Sequence, residues 1–178
     1  MITTFTTGDG LSNDLVCPIL EDRDRNLWIG TYGGGLNRLR DGVMTAFTTT
    51  DGLSSNNLNS LYEDRAGVLW IGTIGGGLNR FDGRRFTALT VRDGLANDGV
   101  HAIAEDTKGV LWVGTERGVS KLERGRFTNL TSRDGLSEDT IRVLLADEDG
   151  SMWVGTNVGL NRVSPDGITV YGIENGLP

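Results

Sequence analysis

The residues best placed to do chemistry in this chain are those that differ where everything around them repeats. Immediately after a recurring Gly-Thr pair stand Tyr32, Ile74, Glu116 and Asn157, with Arg117 following Glu116. A scaffold does not need four different chemistries at one place. Tyr32 could stack on a sugar or other flat ligand, while Glu116, Arg117 and Asn157 could supply hydrogen bonds. A second set of equivalent positions holds Cys17, Asn59, His101 and Arg142, and of these Asn59, His101 and Arg142 could converge on an anion or a polar ligand. For both sets the alternative is plain: solvated loops, and channel-lining polarity satisfied by ordered water.

Other candidate constellations are weaker. His101 is the single histidine, so no multi-histidine metal site can form, and no metal or cofactor is expected. The acidic groups Asp22-Arg23-Asp24, Glu63-Asp64, Glu105-Asp106 and Asp147-Glu148-Asp149 recur in every copy of the repeat. Repetition marks them as turn chemistry, with Asp bonding nearby backbone amides, and a full calcium-loop pattern is missing. A glycoside hydrolase would need two carboxylates converging on one substrate, and only Glu116 with Asp98, Glu138 or Asp139 could supply them. The runs Gly33-Gly34-Gly35 and Gly75-Gly76-Gly77 lack the helix start and the Lys-Ser/Thr of a phosphate loop.

The elements that must position these residues are spelled out by a repeat. Leu27-Trp28-Ile29-Gly30-Thr31 returns at Leu69 to Thr73, at Leu111 to Thr115 and at Met152 to Thr156, so the four Trp stand 42, 42 and 41 residues apart. A period of this length, with Trp in a short β-like run and turn residues around it, reads as a four-stranded propeller blade. Each copy opens with an Asp-Gly-Leu turn (Asp9, Asp51, Asp93 and Asp134), then carries an innermost apolar strand, an acidic hairpin turn, the Trp strand, a third strand such as Leu78-Asn79-Arg80, and a Thr-rich outer strand such as Arg85 to Leu89. Thr3-Thr4-Phe5-Thr6-Thr7 reads as a surplus outer strand ahead of the first turn. Asn175-Gly176-Leu177 reads as the start of a fifth turn. Burying one Trp removes about 150–250 Å² from water, worth roughly 4–6 kcal/mol, so four would dominate the core. The expectation is an all-β, single β-propeller segment over 1–178, with repeats at approximately 9–50, 51–92, 93–133 and 134–174.

Composition narrows the function. A net charge of −7 argues against direct nucleic-acid binding, which needs a dense basic face. Cys17 is the one cysteine, so no internal disulfide forms, and Leu15 to Leu20 around it reads as buried apolar strand. No run approaches the roughly 20 apolar residues of a membrane span, and the first residues, Met1-Ile2-Thr3-Thr4-Phe5, do not read as a signal peptide.

Asp51-Gly52-Leu53-Ser54, then Glu63-Asp64-Arg65-Ala66-Gly67-Val68-Leu69-Trp70-Ile71-Gly72-Thr73, then Gly77-Leu78-Asn79-Arg80 resembles the two-component regulator propeller repeat, and the resemblance covers practically the whole chain. It implies a propeller of the kind found in extracytoplasmic sensor portions of bacterial hybrid two-component systems, which commonly respond to glycans. By that resemblance the chain is a periplasmic or extracytoplasmic, non-catalytic ligand-sensing or interaction module, with a carbohydrate or other small molecule as partner. A propeller lyase or glycoside hydrolase is the alternative, and an assembly unit without a ligand of its own is a third.

Such sensors usually close seven-bladed rings, and four repeats read as a segment of a longer array, a closed four-bladed ring, or two chains pairing as a homodimer through their blade edges into one eight-bladed ring. A blade face of Leu, Ile and Trp left open to water would invite association.

Overall fold

The computed structural model describes residues 3–176. Sixteen strands form four antiparallel four-stranded sheets, each in simple sequence order. Blade one is β1 (Val16–Glu21), β2 (Leu27–Thr31), β3 (Gly35–Arg40) and β4 (Val43–Phe47), and blade two is β5 (Leu58–Glu63), β6 (Leu69–Thr73), β7 (Leu78–Phe81) and β8 (Phe86–Leu89). Blade three is β9 (Val100–Glu105), β10 (Leu111–Thr115), β11 (Gly118–Glu123) and β12 (Arg126–Leu130), and blade four is β13 (Ile141–Ala146), β14 (Met152–Thr156), β15 (Leu160–Ser164) and β16 (Gly167–Tyr171). The chain divides into two compact units, Met1–Ala88 and Leu89–Pro178, so each holds two blades and the boundary falls inside β8.

Within each unit one blade lays its Trp side on the next. In the first, Trp28 and Leu36 pack with Leu58, Leu69, Ile71 and Phe81. In the second, Trp112 and Val119 pack with Ile141, Met152, Val154 and Val163. The alternation of a strand explains this: on β6 Leu69 and Ile71 face one side, Trp70 and Gly72 the other.

The acidic turn is tied to the Trp it precedes. One carboxylate oxygen accepts backbone N–H groups, for Asp106 those of Lys108 (2.9 Å) and Val110 (3.0 Å). The other oxygen accepts the indole Nε1–H six residues on, at 2.7 Å for Asp22 and Trp28, 2.8 Å for Asp64 and Trp70, 3.0 Å for Asp106 and Trp112, and 3.0 Å for Asp147 and Trp153. Blade four adds Asp149, which holds Ser151 and Arg162.

The Asp-Gly-Leu junctions are single 3-10 turns. Thr6, Thr48, Thr90 and Thr131 cap them, the Asp side chain returns a bond to the Thr backbone, and Gly10, Gly52, Gly94 and Gly135 take positive φ of 97–110°. The following Leu11, Leu53, Leu95 and Leu136 are buried.

Three sequence expectations change. Residues 3–6 form no strand, because the Thr-rich stretch serves instead as the capped lead into the first 3-10 turn. Cys17 is exposed rather than buried, because it sits in an irregularity of β1. Trp153 is only half-buried while the other three Trp are buried, because the side of blade four that carries it lies open. Leu177 of the fifth turn, like Met1 and Ile2, lies outside the described residues, whereas Ile173–Asn175 and Gly176 repeat the 3-10 turn and its left-handed cap.

Candidate functional site

Every innermost strand carries an extra residue near its start. On β9, Val100 pairs with Thr115 and Ala102 with Gly114, so the register shifts by one and His101 is the extra residue between them. Asn59 occupies the same place between Leu58 and Ser60 on β5, and Arg142 between Ile141 and Val143 on β13. On β1 the shift spans Cys17 and Pro18, between Val16 and Ile19. An inserted residue of this kind bends the strand and re-aims its side chain. The second set of candidates is therefore a set of bulge residues, which is why their chemistry is free to vary while the flanking Leu58, Val100 and Ile141 stay fully buried.

The first set sits in the loops between second and third strands, against the turns that lead into the innermost strands. The backbone bonds are direct: Glu116 N–H to Gly99 O (3.2 Å), Tyr32 N–H to Leu15 O (3.0 Å), and Ile74 N–H to Asn57 O (2.9 Å). Next-blade turns join them, with Gly33 and Gly35 N–H both donating to Asn56 O and Gly118 N–H to Asp139 O. Gly99 needs to be Gly for a local reason. A Cβ there would lie 2.8 Å from Glu116 Cδ, so the missing side chain is what lets Glu116 fold across the turn.

In the second unit four predicted residues come together. His101 Nε2 lies 3.9 Å from Glu116 Oε1. Arg142 Nε–H donates to Asn157 Oδ1 at 2.8 Å. Arg142 is also close enough to His101 for its charge to be felt there: burial first and the Arg142 guanidinium second hold the imidazole below its usual range, against an opposite pull from Glu116. Glu138 completes the group. Its carboxylate accepts the Asn157 backbone N–H at 3.0 Å and the side-chain Nδ2–H at 3.4 Å. The result is a strip with a half-buried imidazole, a guanidinium, and two carboxylates, held by two bulges and two loops. The Glu116 side chain is 52 % exposed and that of His101 13 %, so the acidic group is at the surface and the imidazole lies under it. Such a strip can offer donors and acceptors together to a polar ligand.

Three predicted residues stand apart from those contacts. Arg117 is exposed, its backbone N–H tied to Thr115 Oγ1 at 3.1 Å and its side chain turned to solvent. Tyr32, 47 % exposed, and half-buried Asn59 belong to the first unit. Sequence reasoning placed Glu138 near the site only as a carboxylate, and did not see it as the residue that orients Asn157. The bulge, too, was unseen, although the variable residue always following one branched aliphatic or Leu was its trace. Among the described residues no group of His, Cys, Asp and Glu could hold a metal, and no helix is long and apolar enough to cross a membrane.

Similarity to solved structures follows the geometry. Two structures of the extracellular domain of BT4673 from B. thetaiotaomicron, assigned as a one-component or hybrid two-component system, match at 24 % and 25 % identity with TM-scores of 0.77 and 0.74. They cover 92 % and 88 % of this chain but only 26 % and 25 % of their own length. The extracellular domain of BT3049 from the same organism, assigned as a hybrid two-component system, matches at 19 % identity and TM-score 0.72, over 99 % of this chain and 31 % of its own. Virginiamycin B lyase from Staphylococcus aureus shares the fold at 14 % identity and TM-score 0.72, over 89 % of this chain and 56 % of its own. The chain thus spans about a quarter of the length of the BT4673 domain. A search among curated proteins gives no match. The model of the two-component regulator propeller matches residues 10–33, 52–75, 94–117 and 135–158, more than half of the sequence. The chain belongs to the two-component regulator propeller family.

Proposed function

We propose that the chain is a non-catalytic recognition module of an extracytoplasmic sensor, and that its second unit binds a small polar ligand, a carbohydrate above all, across His101, Glu116, Arg142 and Asn157. The observation that carries this reading is the pairing of variable positions. Bulge residues and loop residues that differ from blade to blade meet in one strip, while the scaffold beneath them repeats. Likeness to sensor extracellular domains supports the cellular setting. A hydroxyl-rich ligand suits the strip because each hydroxyl both donates and accepts, matching Glu116 and Arg142 at once. To act as a sensor the module needs only to bind its ligand better in one arrangement of the parent protein than in another.

The lyase fold neighbour and the His101–Glu116 pair favour one competing reading, an enzyme in which His101 moves a proton. One experiment separates the two. The purified chain is screened by thermal shift against neutral and acidic mono- and oligosaccharides, hits are measured by calorimetry, and the recovered ligand is analysed by mass spectrometry. Recognition predicts retention of intact ligand and a loss of about 10- to 100-fold in affinity for Arg142→Ala, the size expected when a charge-assisted hydrogen bond is removed. Turnover that Glu116→Ala abolishes would establish the enzyme instead. Affinity unchanged in both Arg142→Ala and His101→Ala would put the ligand elsewhere and sink the assignment.

A further inference from the structure

Each blade sets a cation opposite its Trp. Strand register pairs Arg38 with Trp28, Arg80 with Trp70 and Arg162 with Trp153. The Arg38 and Arg162 guanidinium groups lie 5.8 and 5.7 Å from the indole centroids. Blade three has Lys121 in this place, paired with Trp112, and its Nζ stands 4.1 Å from the ring centroid. The exchange alters what the position can do. A guanidinium keeps its proton at any ordinary pH, whereas an ammonium can give one up and become a nucleophile.

The chain has two lysines, and both border one hollow. Half-buried Lys121 and exposed Lys108 line a space of about 400 Å³ inside the second unit, at the hairpin end of blades three and four. Val110 and Trp112 wall it on one side, Val163 and Pro165 on the other. Blade four brings no charged residue to this lining. Of the two acids there, Asp106 accepts the Lys108 and Val110 backbone N–H groups and the Trp112 indole N–H. Exposed Glu123 lies 4.0 Å from Arg124. Burial, with the Lys108 charge in support, holds the Lys121 proton affinity below its usual range against an opposite pull from Asp106.

We propose that Lys121 is a covalent capture site for a short aliphatic aldehyde. The deprotonated amine adds its lone pair to the carbonyl carbon, the carbonyl oxygen takes up protons, and it leaves as water when the C=N bond forms. Overall, ammonium and aldehyde give a protonated imine and one water. The positive charge therefore stays on the nitrogen above the Trp112 ring, which stabilises the product as it does the ammonium. The apolar walls receive the alkyl chain. The strip around His101 sits at the opposite end of β9 and takes no part, so the proposal is independent of the ligand reading.

Lys108 serves as the internal control. The folded chain is treated with limiting propanal at pH 7, sodium cyanoborohydride traps the imine as a secondary amine, and peptide mapping by mass spectrometry reads each amine separately. Lys121 should be modified at least about tenfold faster than Lys108. Its rate should also level off at a lower pH than that of Lys108. In concentrated urea the two lysines should react alike, which ties the difference to the fold. Lys121→Arg restores the residue of the other three blades, so it keeps a cation on the indole and should lose the fast phase of labelling without losing cooperative unfolding. Equal rates at the two lysines of the folded chain, or a slower Lys121, overturn the proposal. So does a preference for Lys121 that persists in urea, or a fast phase that survives in Lys121→Arg.

Discussion

Replacing Gly114 with Ala and, separately, Gly155 with Ala puts the same methyl group at the same point of the Trp strand in blades three and four. The surroundings differ in one respect. At Gly114 the new Cβ would sit 2.7 Å from Ile141 Cγ2, 3.1 Å from Ile141 Cβ and 3.4 Å from Ala102 Cβ, and Ile141 is fully buried in the contact between two blades. Nothing there can give without moving a sheet, and overpacking of this kind costs about 1–3 kcal/mol. Against it stands the reduced freedom of the unfolded chain, about 0.4–1 kcal/mol in favour of Ala. A net loss of roughly 1–2 kcal/mol remains. At Gly155 the Cβ would lie 2.5 Å from Val143 Cγ1, a closer approach on paper, but Val143 is more than half exposed and its neighbours leave room for it to turn. Shifting it costs about 0.5–1.5 kcal/mol, which the same entropic gain largely offsets. Gly155→Ala is therefore near neutral. Urea unfolding followed by Trp fluorescence gives the comparison. Equal losses at the two positions would refute the reasoning, since they would mean that the covering blade has no part in the cost.

Three more outcomes follow from the same structure. Asp106→Ala removes the acceptor for two backbone N–H groups and leaves the Trp112 indole N–H unpaired in a buried place, so it should lower stability by about 3 kcal/mol. Asp147→Ala should cost roughly half as much in the same urea assay, because water reaches the half-buried Trp153. His101 supplies a pH test with a definite sign. Its folded-state affinity for a proton is lowered, chiefly by burial and then by Arg142, so from about pH 6.5 downward the unfolded chain binds the proton more readily. Stability is thus full above that pH and is lost as pH falls below it, and His101→Gln should flatten this part of the curve. A slope unchanged in His101→Gln would show that another group is responsible.

Much of the architecture was legible in the sequence because propeller repeats write each constraint four times. The Trp period, the Asp-Gly-Leu junctions and the acidic hairpins fixed sixteen strands and their order. What escaped were features that depend on two places at once. The Asp–indole bond has a constant spacing of six, visible once known, yet an Asp in a turn already has a sufficient reason to be there. Cys17 looks like core because its neighbours are apolar, and only the register shift on β1 turns it outward. The candidate site was half legible: variation among copies pointed to Glu116, Asn157, His101 and Arg142, whereas which of the variable residues touch depends on how blades three and four lean together.

The plain sequence order of the strands in every sheet bears on how the molecule comes to exist. Among the described residues no blade borrows a strand from elsewhere, so each sheet forms from adjacent hairpins, and its capped junction is complete within six residues. Pairings so local close small loops, which is the quick and cheap part of β-sheet formation. Each blade can take shape soon after its last strand leaves the ribosome, and within each unit the first blade then presents a ready Trp side on which the second settles. Folding within each unit is therefore expected to proceed as growth, with the earlier blade as the template for its successor.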